Sequence, residues 1–199
     1  MNSKIIAGIG ILVVLIAVYF IFFSEQKQSS ISFSEGVTEI NSLWQKNNVN
    51  SSYLLGTTEL SFSASDLESL DSDLREFRDS LDNTTETESL KDFTEIHLML
   101  VDELVLALEL KETNDKLKSK TITGDNLCEN KTDLLFVAQK TIELNEKMLS
   151  VNELVYAFNE MHSGLEEEAN LTSFIADDSG FSQTKLENEI VIDELESAC

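Results

Sequence analysis

The chain has 199 residues, 37 acidic against 14 basic, for a formal net charge of -23, with two cysteines, two histidines and no proline. That potential repels nucleic-acid phosphates and anionic headgroups, which excludes nucleic acid as an expected partner and leaves cationic partners open. The length suits one ordinary domain plus short extensions.

Residues 5–23, IIAGIGILVVLIAVYFIFF, form an unbroken apolar run behind a short tail, residues 1–4, that carries Lys4. As a helix, about nineteen residues span ~28 Å, which matches a hydrocarbon core of about 30 Å. A signal peptide would have a shorter core and a small-residue cleavage site, but Tyr19, Phe20, Ile21, Phe22 and Phe23 lead directly into Ser24 and Glu25. The run therefore reads as an uncleaved transmembrane signal anchor with an aromatic end at the far interface. Lys4 and the terminal amine favour a cytoplasmic N-terminus, against the weaker pull of Lys27. The expected topology is single-pass, with everything after the anchor extracellular or on the periplasmic side of a cell membrane. A prepilin-type leader cut after Lys4 is a rival reading; Ser29 and Ser30 oppose it, because they interrupt the helix that a pilin spine would continue.

Residues 24–32, SEQKQSSIS, make a polar stalk, and residues 33–199 make the acidic domain. Phe33, Val37, Ile40 and Trp44 recur at helical spacing and predict a helix over 33–47, with Gly36 a weak point in its first turn. Residues 47–63 carry turn signals and read as loop. Ser65 followed by Glu68 is a capping box that predicts a helix over 66–81 with Leu67, Leu70, Leu74, Phe77 and Leu81 inward. Thr85 followed by Glu88 is a second box, opening a helix to about residue 118 whose inner stripe is Leu90, Phe93, His97, Leu100, Leu104, Ala107 and Leu108. Its middle, residues 96–110, is apolar on most faces, as expected of a central helix or of one lying under a partner.

Gly124 makes a turn, and Asp125 is the expected cap of a long helix to about residue 162. There Val137, Thr141, Leu144, Met148, Val151, Val155 and Phe158 follow the alternating spacing of coiled-coil-like packing, and Asn145, Asn152 and Asn159 repeat every seven residues. These asparagines read either as the flank of the seam or as a buried ladder. Ser163 and Gly164 end the helix, and a short helix over 165–176 follows. Thr184 and Glu187 form a third box, predicting a final helix with Leu186, Ile190, Val191 and Leu195 on its apolar side. Running back antiparallel, it would bring Cys199 to Cys128.

An even pair of cysteines outside the cytoplasm reads as one disulfide, Cys128–Cys199, closing a loop of about 70 residues worth roughly 4 kcal/mol on a loop-entropy model. An intermolecular bridge and free thiols are the alternatives. Asn50, Asn83, Asn130 and Asn170 head glycosylation sequons and are expected at accessible positions.

His97 and His162 lie in no metal-binding pattern, and pairing the long helices about Gly124 would separate them by roughly 16 Å. The clusters at Asp71 and Asp73, Glu166 to Glu168, and Asp177 and Asp178 lack calcium-loop spacing. No nucleophile elbow, phosphate-binding glycine loop or C-x-x-C is present. The chain is therefore expected to be no enzyme and to need no cofactor, metal or catalytic residue.

The expected fold is all-α, a single transmembrane helix followed by an antiparallel bundle of four to five helices. The expected role is a structural or interaction module, an accessory subunit of a membrane or cell-envelope assembly with protein partners. The candidate contact surfaces are the apolar belt of residues 96–110 and the heptad face after it, although core packing accounts for both as well. A sensor or small-ligand-binding domain working with a separate signalling partner, and a pilin-like filament subunit, are the alternatives.

Overall fold

The computed structural model describes residues 31–49 and 60–199. The chain divides into two compact units, Met1–Ile31 and Ser32–Cys199, and it is the second that is described below. The expected anchor at residues 5–23, most of the stalk and the sequon at Asn50 lie outside the described residues. Among the described residues no helix is long and apolar enough to cross a membrane, so the transmembrane part of the expected fold finds no support there. The described structure is all-helical, with six α-helices and no strand among those residues.

Helix α1 (Phe33–Lys46) starts at a capping box in which Ser32 Oγ accepts from Glu35 N and Glu35 Oε2 accepts from Ser32 N, at 3.3 and 2.9 Å. It buries Ile40, Leu43 and Trp44. Gly36 is a close approach rather than a defect. A Cβ there would sit 2.2 Å from Leu90 Cδ2, so any larger residue would have to displace the buried Leu90 side chain.

Helix α2 (Ala64–Ser80) is capped by Ser63 with Asp66, two residues before the expected Ser65–Glu68 box. Asp66 reaches back to Ser63 N at 2.7 Å, which places Ser65 already inside the first turn. Leu67, Leu70 and Leu74 are buried as expected. Helix α3 (Thr85–Lys118) also starts one residue early, on Thr84, whose backbone N donates to the Thr87 hydroxyl at 3.3 Å.

Two successive 3₁₀ turns, Gly124–Asn126 and Cys128–Asn130, precede helix α4 (Lys131–Met161), so Asp125 does not cap it. Asn126 fixes the first turn instead, its side chain accepting from Thr123 N and donating to Thr121 O at 2.7 and 2.8 Å. The long helices then run antiparallel. Three ion pairs, Lys147–Asp102, Lys140–Glu109 and Lys116–Asp133, lie at 3.0, 3.4 and 2.8 Å. In each pair the two residues are about equally distant along the chain from the turn at Gly124, and each successive pair is one heptad nearer to it. That is the register expected from the sequence, held by the coiled-coil repeat.

Helix α3 packs against α1 and α2 as well as α4. This explains its apolar girth: Ile96, Leu98, Leu100, Val101, Leu104, Leu106, Ala107 and Leu110 are all buried. Of the two readings of this belt, core and partner surface, the burial of these side chains supports core, with Val105 alone among its large apolar residues left exposed. The heptad face of α4 is likewise turned inward, with Val151, Val155 and Phe158 fully buried.

After α4 come a single-turn helix α5 (Glu166–Ala169), a 3₁₀ turn (Leu171–Phe174) and helix α6 (Phe181–Ala198), which packs along α4. Helix α6 buries only part of the apolar side expected of it. Leu195 is buried and Phe181, Thr184, Asn188 and Ile192 are half-buried, whereas Leu186, Ile190 and Val191 are exposed. The Thr184–Glu187 box does not form, because the helix has already begun at Phe181 and Thr184 N donates to Gly180 O at 2.9 Å.

Candidate functional site

His97 sits at the centre of the core and is 3% exposed. The Trp44 indole on α1 donates from Nε1 to His97 Nδ1 at 3.0 Å, which leaves the ring proton on Nε2. Nε2 is buried with no hydrogen-bond partner. Phe93 lies edge-on at 4.6 Å between centroids and Phe174 at 5.5 Å, so the ring is enclosed by aromatic surface. Burial alone lowers its pKa from 6.5 to about 3, which keeps it neutral at any physiological pH.

His162, just past the end of α4, is joined to this cluster through rings rather than through a shared ligand. Its ring lies tilted against Phe158 at 4.8 Å between centroids, and Phe158 lies 6.1 Å from Phe93. Its Nε2 bonds Asp92 Oδ2 at 2.7 Å. Asp92 also borders a surface cleft of about 390 Å³ at the start of α3, lined with Asp82, Asn83, Thr84, Glu88 and Lys91. Lys91 there is tied to Asn83 Oδ1 at 2.5 Å. Among the described residues no three His, Cys, Asp or Glu side chains are grouped to hold a metal.

The three asparagines of the α4 repeat flank the seam, Asn145 and Asn159 half-buried and Asn152 buried. Asn152 is buried, donates from Nδ2 to Ala176 O at 3.0 Å and accepts from Ala176 N at 2.8 Å. Both faces of one amide thus hold the segment that carries Phe174 over His97. Asn145 Nδ2 and Asn159 Oδ1, one heptad either side, are buried without hydrogen bonds.

Glu103 on α3 is also buried, with Met99, Leu100, Leu106 and Ala107 one turn away on its own helix. Desolvation raises its pKa from 4.5 to about 7.

The acidic clusters are mostly spent internally. Asp71 pairs with Arg75 at 2.7 Å, and Asp73 accepts from Asn47 and Lys46 at 2.7 and 2.9 Å, which holds its carboxyl below the usual range. Glu166 accepts from Gly164 N and Asp177 from Ser179 N, at 2.6 and 3.0 Å.

Cys128 and Cys199 lie at disulfide distance, 2.02 Å between sulfurs. Asn83 and Asn170 are exposed. Asn130 is not accessible as expected: it is 6% exposed, with Nδ2 donating to Asn126 O and Oδ1 accepting from Lys120. Its amide is committed to the turn that starts α4.

Trp44 as the partner of His97 was missed in the sequence, although a lone indole on the apolar side of an amphipathic helix must find an acceptor when buried. Asn152 as a backbone clamp and Asp92 as the partner of His162 left no local signal. The chain matches no protein-family model, no curated protein and no solved structure.

Proposed function

We propose that the chain is a membrane-anchored helical-bundle protein acting as a structural or interaction module on the extracytoplasmic side, an accessory subunit of a membrane or envelope assembly with no enzymatic activity of its own. Anchor, topology and location rest on the apolar run at residues 5–23 and its flanks. The observation that carries the interaction role is the outer side of α6, where Leu186 and Ile190 are 51 and 48% exposed on a helix whose other side packs along α4. His97, His162, Asn152 and the inter-helix ion pairs each join one element to another, which suits a scaffold. Glycans at Asn83 and Asn170 are compatible with their exposure.

A gentle-detergent pull-down of the full chain from its native membrane tests the reading. Stoichiometric recovery of a membrane or envelope protein is the expected result, and recovery of the chain alone as a monomer would refute it. The cleft beside Asp92 favours a second reading, a domain that binds a small polar ligand and works with a separate signalling partner. The pilin-like reading depends on residues outside those described.

A further inference from the structure

We propose that the outer face of α6 is a docking surface for a basic amphipathic helix of a partner protein. The inference rests on the interaction-module reading and adds the chemistry of the partner. Leu186 and Ile190 are one turn apart and share the side of α6 opposite Leu195, an i, i+4 pair of the kind that anchors helix-against-helix recognition. At 100° per residue, Glu187 and Glu194 flank the pair on one side, Glu189 and Glu196 on the other, and Asp193 continues its line. These five acids are all exposed, and none forms a salt bridge with a described cation, although Glu189 adds to the field on Lys185 and Glu187 accepts from Gln183. The one cation of α6, Lys185, is bound to Glu146 on α4 at 2.7 Å.

An apolar pair inside a carboxylate rim selects its occupant by sign. A second copy of the chain would set five carboxylates against five, and an anionic lipid surface would be repelled in the same way. A helix with leucine-like residues at i and i+3 or i+4, flanked by lysines or arginines, buries Leu186 and Ile190 while its cations meet the rim. The rim then gives speed and specificity, and the apolar pair gives residence time.

The test uses the full chain in phosphatidylcholine nanodiscs, with empty nanodiscs as the baseline. The probe is a fluorescein-labelled Leu/Lys helix of about 18 residues with its leucines on one face. A scrambled peptide of the same composition and a Leu/Glu version complete the set. Fluorescence anisotropy is expected to show the amphipathic basic peptide binding at least tenfold more tightly than the scramble, with no binding of the Leu/Glu peptide. The double variant L186S/I190S should weaken binding at least tenfold with unchanged circular dichroism and melting, since both side chains are surface residues. Equal binding of the scramble, or of the double variant, would overturn the inference. A native-membrane pull-down separates this failure from failure of the parent reading. A partner retained equally by wild type and L186S/I190S keeps the interaction module and removes α6 as its surface, whereas no partner with either chain overturns both.

Discussion

Replacing Trp44 and His97 together by phenylalanine removes the buried donor and its acceptor at once, leaving neither polar atom stranded. The titration of His97 should vanish with them. Its pKa is about 3 in the folded chain against an ordinary 6.5, so above pH 6.5 both folded and unfolded forms are neutral and the stabilisation is complete. As pH falls below 6.5 the unfolded chain takes up a proton that the folded chain refuses, and stability drops by about 1.4 kcal/mol per pH unit until the folded ring also titrates near pH 3. The whole effect is about 5 kcal/mol, and about 2 kcal/mol of it falls between pH 6.5 and 5.0. The assay is urea unfolding of the full chain in zwitterionic micelles, followed by circular dichroism for wild type and W44F/H97F at both pH values. Comparing the two chains cancels every other titrating group. The wild-type advantage should shrink by about 2 kcal/mol from pH 6.5 to 5.0, which corresponds to roughly 1 M urea in midpoint. An advantage constant to within about 0.5 kcal/mol would refute the claim that His97 is buried neutral.

Glu103 should work in the opposite sense. Its folded pKa is about 7 against 4.5, so its protonated form stabilises below pH 4.5 and that contribution is lost as pH rises through 7; E103Q should therefore gain on wild type by about 3 kcal/mol between pH 4 and 8 in the same unfolding assay. At the α1–α3 crossing, G36A should cost about 1–3 kcal/mol through contact with Leu90, and in a G36A/L90A chain the two costs should sum to less than their separate values; strict additivity would argue against the contact.

Helix existence was legible because apolar spacing of 3.6 is hard to mistake over long segments, and α3 ends at Lys118 as its cationic last turn indicates. The antiparallel register was legible too, since a short turn at Gly124 leaves two long helices little choice. The start sites slid by one or two residues because Ser63, Ser65, Thr84, Thr85 and Thr87 offer competing caps, and the choice depends on which acid or hydroxyl reaches back. The facing of helix α6 is ambiguous in the sequence for a different reason. Phe181, Leu186, Ile190, Val191, Ile192 and Leu195 permit two apolar stripes, and packing along α4, with Cys199 at Cys128, selects the one through Phe181, Asn188, Ile192 and Leu195. The candidate sites were least legible. Trp44 and His97 are 53 positions apart and Asn152 and Ala176 are 24 apart, so each pairing exists only once the helices are docked.

Once oxidised, the Cys128–Cys199 pair, already at disulfide distance, closes a covalent ring over the last third of the chain. With that bond in place, a load entering through the N-terminal side can extend the chain only as far as Cys128, because everything beyond is looped back on itself. A protease that nicks the segment between α4 and α6 would release nothing, since both pieces remain joined through sulfur. The ring makes the C-terminal part a fixed-length stop, mechanically distinct from the extensible helices before it.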